Sequence, residues 1–410
     1  MSPSVHLVVS AVFAASALCL DLDISNQTSI KQAAATIAGG LYGYHNTSST
    51  AGLFNQPEPW FWWLSGAGWT ALIDYTAYTN DTTYISDIHT ALSQNLGSNY
   101  DFVPAEQSGW EANDDQVYWV YSALTAMEYG FPPLPCKAAL NNTVGNCTNS
   151  WQAVAVHAFE DFVTRWNLDS QTCGGGLKWQ YDPTAKGWTY KNSVSNAGFF
   201  QTAARLARYT GNETYTDWAT KIWNWSITSG LVGSGYHVYD GSSDGDGANY
   251  VMRHANVYNP SNIASYLHGA AHMSAHTHAP IWTTIVTGLL DTATTTFFTP
   301  FPNATGIMYE PICEKQAACS TDQSSFKGSL ANWMGKTAVL VPSVSERIMA
   351  LLGESARGAA ASCSGGEGMC GTKWYVGGFD GQVGFGQQLS ALDAVLSLLV
   401  GGAPELAVLG

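Results

Sequence analysis

Small and apolar residues recur along the chain at spacings of three and four, the period of one face of a helix, rather than in the strict alternation of a half-buried strand. One unit repeats at least five times: Ser65 to Thr79 running into Asn80-Asp81, Asp115 to Tyr129 into Gly130-Phe131-Pro132, Ala197 to Tyr209 into Thr210-Gly211-Asn212, Ile263 to Met273 after Tyr258-Asn259-Pro260, and Gly386 to Val400. Each reads as a helix with small and aromatic residues on one face that closes in a polar turn. Between them lie helices with a narrower apolar stripe, Trp151 to Trp166, Tyr215 to Thr228 and Thr283 to Phe297. Broad-faced helices alternating with narrow-faced ones predict an inner and an outer layer, an all-α toroid of helical hairpins. No stretch alternates at period two long enough to build a sheet. The Gly-rich segments Cys173 to Gly176 and Gly233 to Gly247 read as loops over one end of the toroid rather than as linkers.

The chain begins with an apolar run, Leu7 to Leu20, of the length of a signal-peptide core, with Ala17 and Cys19 placed for cleavage. A leader over 1–19, one folded domain over 20–402 and a short tail over 403–410 are therefore expected. The tail lacks a polar spacer followed by a long apolar stretch, so no glycolipid-anchor signal is expected in it. Glycosylation sequons at Asn26, Asn46, Asn80, Asn141, Asn146, Asn212, Asn224 and Asn303 agree with export to the cell surface, wall or medium. Removal of Cys19 leaves an odd set of cysteines; short loops predict the pairs Cys136 with Cys147, Cys313 with Cys319 and Cys363 with Cys370, and leave Cys173 over.

Charge narrows the partners. The 410 residues carry 16 Lys plus Arg against 31 Asp plus Glu, a formal net charge of −15, which disfavours nucleic acid and anionic membrane surfaces. Only 11% of residues are charged while 12% are aromatic, with 16 Trp. A chain so poor in charge and rich in rings suits an uncharged polar ligand such as carbohydrate, although many of the Trp residues must be core.

The segment Gly109-Trp110-Glu111-Ala112-Asn113-Asp114-Asp115-Gln116 sets two carboxylates side by side at a helix entrance, between two amides. Neighbouring like charges drive their protonation apart. That is the division a retaining glycosidase needs: one carboxylate attacks the anomeric carbon, and the other, roughly 5 to 5.5 Å away, protonates the leaving oxygen. On the local pattern alone an ordinary helix cap is the readier explanation, since Asp and Asn are preferred there. His268, His272 and His276 recur every four residues, with His278 beyond, a spacing that can bind zinc; no carboxylate or cysteine accompanies them, so a polar, partly exposed face and no metal are expected. Asp240 to Gly247 lacks the closing glutamate of a calcium loop and reads as a solvated Gly/Asp loop.

Taken in order, Trp60-Phe61-Trp62-Trp63 with Ser65-Gly66-Ala67-Gly68-Trp69, Asn113 to Gln116, Cys173-Gly174-Gly175-Gly176-Leu177-Lys178-Trp179-Gln180, Tyr190-Lys191-Asn192 with Ser195-Asn196, Phe326-Lys327-Gly328 and Gly384-Phe385-Gly386-Gln387-Gln388 resemble glycoside hydrolase family 76 over nearly the whole chain after residue 19. Its fungal members are endo-α-1,6-mannanases and cell-wall mannosidase-like proteins. The resemblance implies an (α/α)6 barrel, a retaining mechanism with Asp114 as nucleophile and Asp115 as general acid/base, and no metal or other cofactor. It further implies a cleft lined by Trp62, Trp63, Asn113, Gln116, Trp179, Asn192, Asn196, Tyr258 and Asn259. The implied donor is α-mannan or the glycan of a glycolipid anchor, with wall glucan as a potential acceptor and a monomer as the working form. Three positions depart from the family pattern: Leu64 replaces an acidic residue, Pro260-Ser261 a Gln-Gly pair, and a cysteine expected between Asp240 and Tyr250 is missing. Hydrolysis, transglycosylation that cross-links glycolipid-anchored mannoproteins to glucan, and binding of mannan without turnover all remain compatible with these residues.

Overall fold

A computed structural model describes residues 20–45, 52–55, 61–105, 109, 111–133, 150–244 and 259–409. Among them run helices α1 (Gln27–Tyr42), α2 (Trp62–Thr79), α3 (Ile85–Gln94), α4 (Asn113–Glu128), α5 (Trp151–Leu168), α6 (Ser193–Thr210), α7 (Glu213–Thr228), α8 (Pro260–Thr277), α9 (Pro280–Phe297), α10 (Gln323–Leu340), α11 (Ser345–Ser362) and α12 (Phe385–Leu396). The even-numbered helices form a closed inner ring, each packed on the next and α12 returning to α2; each odd-numbered helix packs outside this ring. This is the (α/α)6 barrel expected from the sequence.

Layer position follows from composition. All but two residues of α4 are buried, whereas α7 buries a stripe of Ala219, Ile222, Trp223, Trp225 and Ser226. Inner helices approach closely because small residues face large ones: a Cβ on Gly66 of α2 would stand 2.9 Å from the Trp119 ring of α4, and one on Gly269 of α8 would stand 2.6 Å from Phe200 of α6. All five expected inner helices and all three expected outer ones are present, with ends shifted by a few residues. The sequence reading did not single out α1, α3, α10 or α11. In the inner helix α10, Lys327, Asn332 and Lys336 are buried, which erases the apolar face that the pattern relies on. The one ladder among the described residues is a two-stranded antiparallel ribbon, β1 (Tyr190–Asn192) with β2 (Gly241–Ser243).

Charged groups from the C-terminal halves of the inner helices are sealed inside the ring. Arg205 of α6 grips Glu128 of α4 through two bonds of 2.9 and 2.8 Å, and Lys336 of α10 bonds Asp74 of α2 at 2.8 Å. Asn332 ties Asp74 to Asp393 of α12. His268 and His272 belong to this band: they bond each other at 3.1 Å, His272 lies 3.8 Å from Glu128, and both are fully buried. The expectation of a partly exposed histidine face is thereby corrected for these two. His276 alone of the three is partly open and pairs with Thr216. No metal-ligating cluster occurs among the described residues.

Cys313–Cys319 and Cys363–Cys370 are disulfides, and Cys173 is free and half-buried. The expected Cys136–Cys147 pair lies outside the described residues. Asn26, Asn80, Asn212, Asn224 and Asn303 are exposed, as glycan acceptors must be, while the other three sequons lie outside the described residues.

Burial makes stability depend on pH. It raises Glu111 and Glu310 to about 8, Asp393 to about 7 and Asp322 to about 6. A carboxyl raised in the folded state keeps a proton that the unfolded chain has lost, so the stability it contributes is full at acid pH and disappears as pH rises through its folded value. His268 and His272, lowered by burial, act oppositely, but only below the ordinary histidine value near 6.5. Between pH 6.5 and 8 the carboxyls are therefore unopposed by these histidines. Unfolding free energy is expected to fall by ~2 kcal/mol or more over that interval, read as a declining melting temperature.

Candidate active site

The N-terminal ends of five inner helices converge on one cleft of about 440 Å³, a volume that suits a few sugar rings. Phe61 and Trp63 come from the start of α2, Asp114 and Asp115 from α4, Asn192 and Val194 from α6, Asn259, Ser261 and Asn262 from α8, and Asp322 and Phe326 from α10. Helix N-termini carry partial positive charge, which explains how four carboxylates, the fourth being Asp240, line a cleft without any Lys, Arg or His among its described lining residues.

Asp114 and Asp115 stand in the first turn of α4, partly open to the cleft. Asp114 is held from several directions: Oδ1 accepts from the Trp179 indole at 3.1 Å and from the Asp115 backbone N–H at 3.1 Å, and Oδ2 accepts from Asn192 at 2.9 Å. Asp115 accepts one such bond, from the Ala112 N–H to Oδ2 at 2.7 Å. The capping role weighed from sequence is thus partly present, since this bond closes the helix entrance, and it leaves Asp115 Oδ1 available. Burial raises both carboxyls, Asp115 to about 7; the neighbouring Asp115 charge raises Asp114 further, while Asn192 and backbone N–H groups lower it. Like charges on adjacent buried carboxyls keep one proton on the pair near neutrality. The richer set of donors around Asp114 favours placing the negative charge there and the proton on Asp115.

The residues around the pair form a clamp. Asn113 donates its side-chain amide to the Lys178 carbonyl at 2.9 Å and its backbone N–H to the Trp179 carbonyl at 2.9 Å, drawing the loop that carries Trp179 over Asp114. Asn196 fixes the same loop through both the N–H and carbonyl of Leu177. The loop passes so close to α7 that a Cβ on Gly176, at φ 86°, would stand 2.0 Å from Trp225. Buried Lys191 donates to the carbonyls of Asp169, Thr172 and Gly175. Asp240 ties the ribbon to α8, accepting from Tyr190, Asn259 and Asn262.

Of the expected cleft residues, Trp63, Trp179, Asn192 and Asn259 line it with the aspartate pair. Trp62 does not: it is buried, donates to Asn95 at 2.7 Å and stacks on Trp119. Asn113, Gln116 and Asn196 are also fully buried behind the cleft; Gln116 bonds the Asp101 carbonyl, Asp161 and Arg165. Tyr258 lies outside the described residues. Leu64 is core, so its departure from the family pattern does not alter the cleft wall, whereas Ser261 does face the cleft. Sequence reasoning missed Asp240, Asp322, Tyr118, Tyr190, Phe61, Phe326, Gln180, Val194 and Asn262 as lining residues, and Glu111 behind them, whose charge raises Asp115.

A double ring of helices with paired carboxylates at the mouth of an aromatic-walled cleft defines a glycoside hydrolase. Residues 29–408 match the model of Glycosyl hydrolase family 76, and the chain belongs to that family. It is 37% identical to "Mannan endo-1,6-alpha-mannosidase DCW1" of Saccharomyces cerevisiae over 92% of this chain and 81% of that protein. Its fold superposes on Dfg5 from Chaetomium thermophilum, solved in complex with glucosamine, with a TM-score of 0.83, 32% identity and 94% of each chain covered. The alpha-1,6-mannanase GH76A of Salegentibacter sp. HEL1_6, solved as an inactive variant with alpha-1,6-mannotriose, shares the fold at a TM-score of 0.69 and 19% identity, over 90% of this chain and 99% of that one.

Proposed function

We propose that the protein cleaves α-1,6-linked mannosides with retention of configuration, Asp114 acting as nucleophile and Asp115 as general acid and then base. The observation that carries this reading is the unequal hydrogen bonding of two adjacent carboxylates on one cleft: Asp114 is fixed and charge-stabilised by Trp179 and Asn192, while Asp115 keeps an oxygen free. Asp115 gives its proton to the glycosidic oxygen as Asp114 closes on the anomeric carbon. The deprotonated Asp115 then takes a proton from the acceptor that releases the sugar from Asp114. Trp179, partly exposed at the cleft, offers a ring face to the sugar as well as its N–H to Asp114.

Hydrolysis and transfer share this chemistry and differ in the acceptor. The named relatives support α-1,6-mannan as donor, and the glucosamine held by the Chaetomium protein, a sugar of glycolipid-anchor glycans, supports such a glycan as a second donor; wall glucan is the acceptor we propose for it. We place the protein at the fungal cell surface or wall, as a monomer with its catalytic domain over 20–402 between the 1–19 leader and the 403–410 tail; no helix among the described residues is long and apolar enough to cross a membrane. Incubation of the secreted protein with linear α-1,6-manno-oligosaccharides, with products read by mass, tests the reading. Shorter products support hydrolysis and longer ones transfer; binding without product in the wild type, unchanged in Asp115→Ala, overturns it. Trp179→Phe removes one donor from Asp114 and is expected to lower kcat about tenfold, more than it raises KM.

A further inference from the structure

The four carboxylates of the cleft are not alike in their partners. Asp114 and Asp240 each accept three bonds from the protein, and Asp115 accepts one while keeping an oxygen for acid chemistry. Asp322 is the exception. It lies in helical conformation just before α10, whose start is closed by Ser320 and Gln323 bonding each other's backbone N–H, so its carboxylate takes no part in capping. It sits instead on the cleft wall near Trp63, partly exposed, and its Oδ1 has no hydrogen-bond partner. A desolvated acceptor without a donor is unfavourable in any fold, and in a substrate cleft the donor to be expected is a substrate hydroxyl.

Its place indicates which sugar. Asp322 and Asp115 line the same cleft, and the Asp322 charge acts on Asp115, whereas Trp179 and Asn192 are tied to Asp114. A general acid stands beside the oxygen it protonates, so Asp322 borders the space of the leaving sugar and, in the second half of the reaction, of the acceptor. Phe326, one helical turn further along α10 and stacked at 6.3 Å on Trp63, supplies a ring face there. We infer that Asp322 is a specificity-determining residue of the leaving-group and acceptor site, accepting a hydrogen bond from a hexose hydroxyl. The inference rests on the glycosidase reading above and leaves the proton path from Asp115 unchanged.

The test compares wild-type, Asp322→Ala and Asp322→Asn proteins on two substrates: an α-1,6-mannotetraose, whose cleavage needs a sugar in that site, and α-1,6-mannobiosyl fluoride, whose leaving group is fluoride alone. Asp322→Ala is expected to lose about 10- to 100-fold in kcat/KM on the tetraose, mostly through KM, with a loss on the fluoride at least tenfold smaller. Asp322→Asn, of the same shape, guards against a folding defect and should show the same split in weaker form. With the fluoride as donor and mannobiose as added acceptor, the ratio of transfer to hydrolysis should fall in both variants. Equal losses on the two substrates, or none, overturn the inference while the glycosidase reading stands. A wild-type protein that consumes neither substrate overturns that reading and the inference with it.

Discussion

Asp114→Asn is expected to lower turnover of α-1,6-manno-oligosaccharides by on the order of 10⁴-fold or more, as loss of a nucleophile does in other covalent mechanisms, while the melting temperature stays within a few degrees. The amide cannot attack the anomeric carbon, yet it fills the same space and its oxygen can still accept from Trp179 or Asn192. It also removes a buried negative charge beside Asp115, an electrostatic relief that offsets part of any lost hydrogen bonding. Activity and stability therefore separate. A loss of stability comparable to a broken core, about 3 kcal/mol or more, would instead make the pair structural, since loss of a helix cap costs nearer 1 kcal/mol.

The second large effect lies at the other end of the same helix, roughly 20 Å away at 1.5 Å per residue. Glu128→Ala should destabilise the protein by about 3–5 kcal/mol, because it leaves the guanidinium of Arg205 buried without its carboxylate. Both groups are essentially inaccessible, and the remaining neighbours do not compensate: His272 is held neutral by burial, Thr125 supplies one hydroxyl, and Lys336 adds a like charge nearby. Thermal or denaturant unfolding reads the loss. Glu128→Gln, which keeps an acceptor for Arg205, should lose less, and whatever remains folded should keep kcat because the cleft is built from the opposite ends of the helices.

This division of the barrel was only half legible in the sequence. The inner helices announced themselves through Ala, Gly and Ser alternating with aromatic residues, because that mixture lets ring helices touch. The aspartate pair was visible only as a candidate: adjacent aspartates at a helix entrance serve as a cap as readily as an acid and a nucleophile, and the family resemblance, not the local pattern, pointed to catalysis. The side of the chain to which a residue points was not. Trp62 and Trp63 are neighbours, yet one stacks on Trp119 in the core and the other walls the cleft. Asn113, Gln116 and Asn196 are the right residue types for sugar hydroxyls, but the backbone of the Trp179 loop and the Arg165 cluster claim their hydrogen bonds first. Asp240, one of three aspartates in a Gly-rich loop, and Asp322, a lone carboxylate before a helix, could not be assigned from sequence because each joins the site only by folding. The one local signal for Asp322 was its position just ahead of Phe326-Lys327-Gly328. Lys327 there bonds buried Glu314 at 2.8 Å and the Thr372 carbonyl, a structural duty that anchors the start of α10 and so the wall of the cleft.

The central claim, a covalent mannosyl intermediate on Asp114, is tested most directly by following the first products from a linear α-1,6-mannohexaose by proton NMR, before mutarotation, with Asp114→Asn as control. The account predicts that reducing ends appear first as the α-anomer with the wild-type protein and that none accumulate with the variant. A β-anomer appearing first, or wild-type rates in Asp114→Asn, would contradict it.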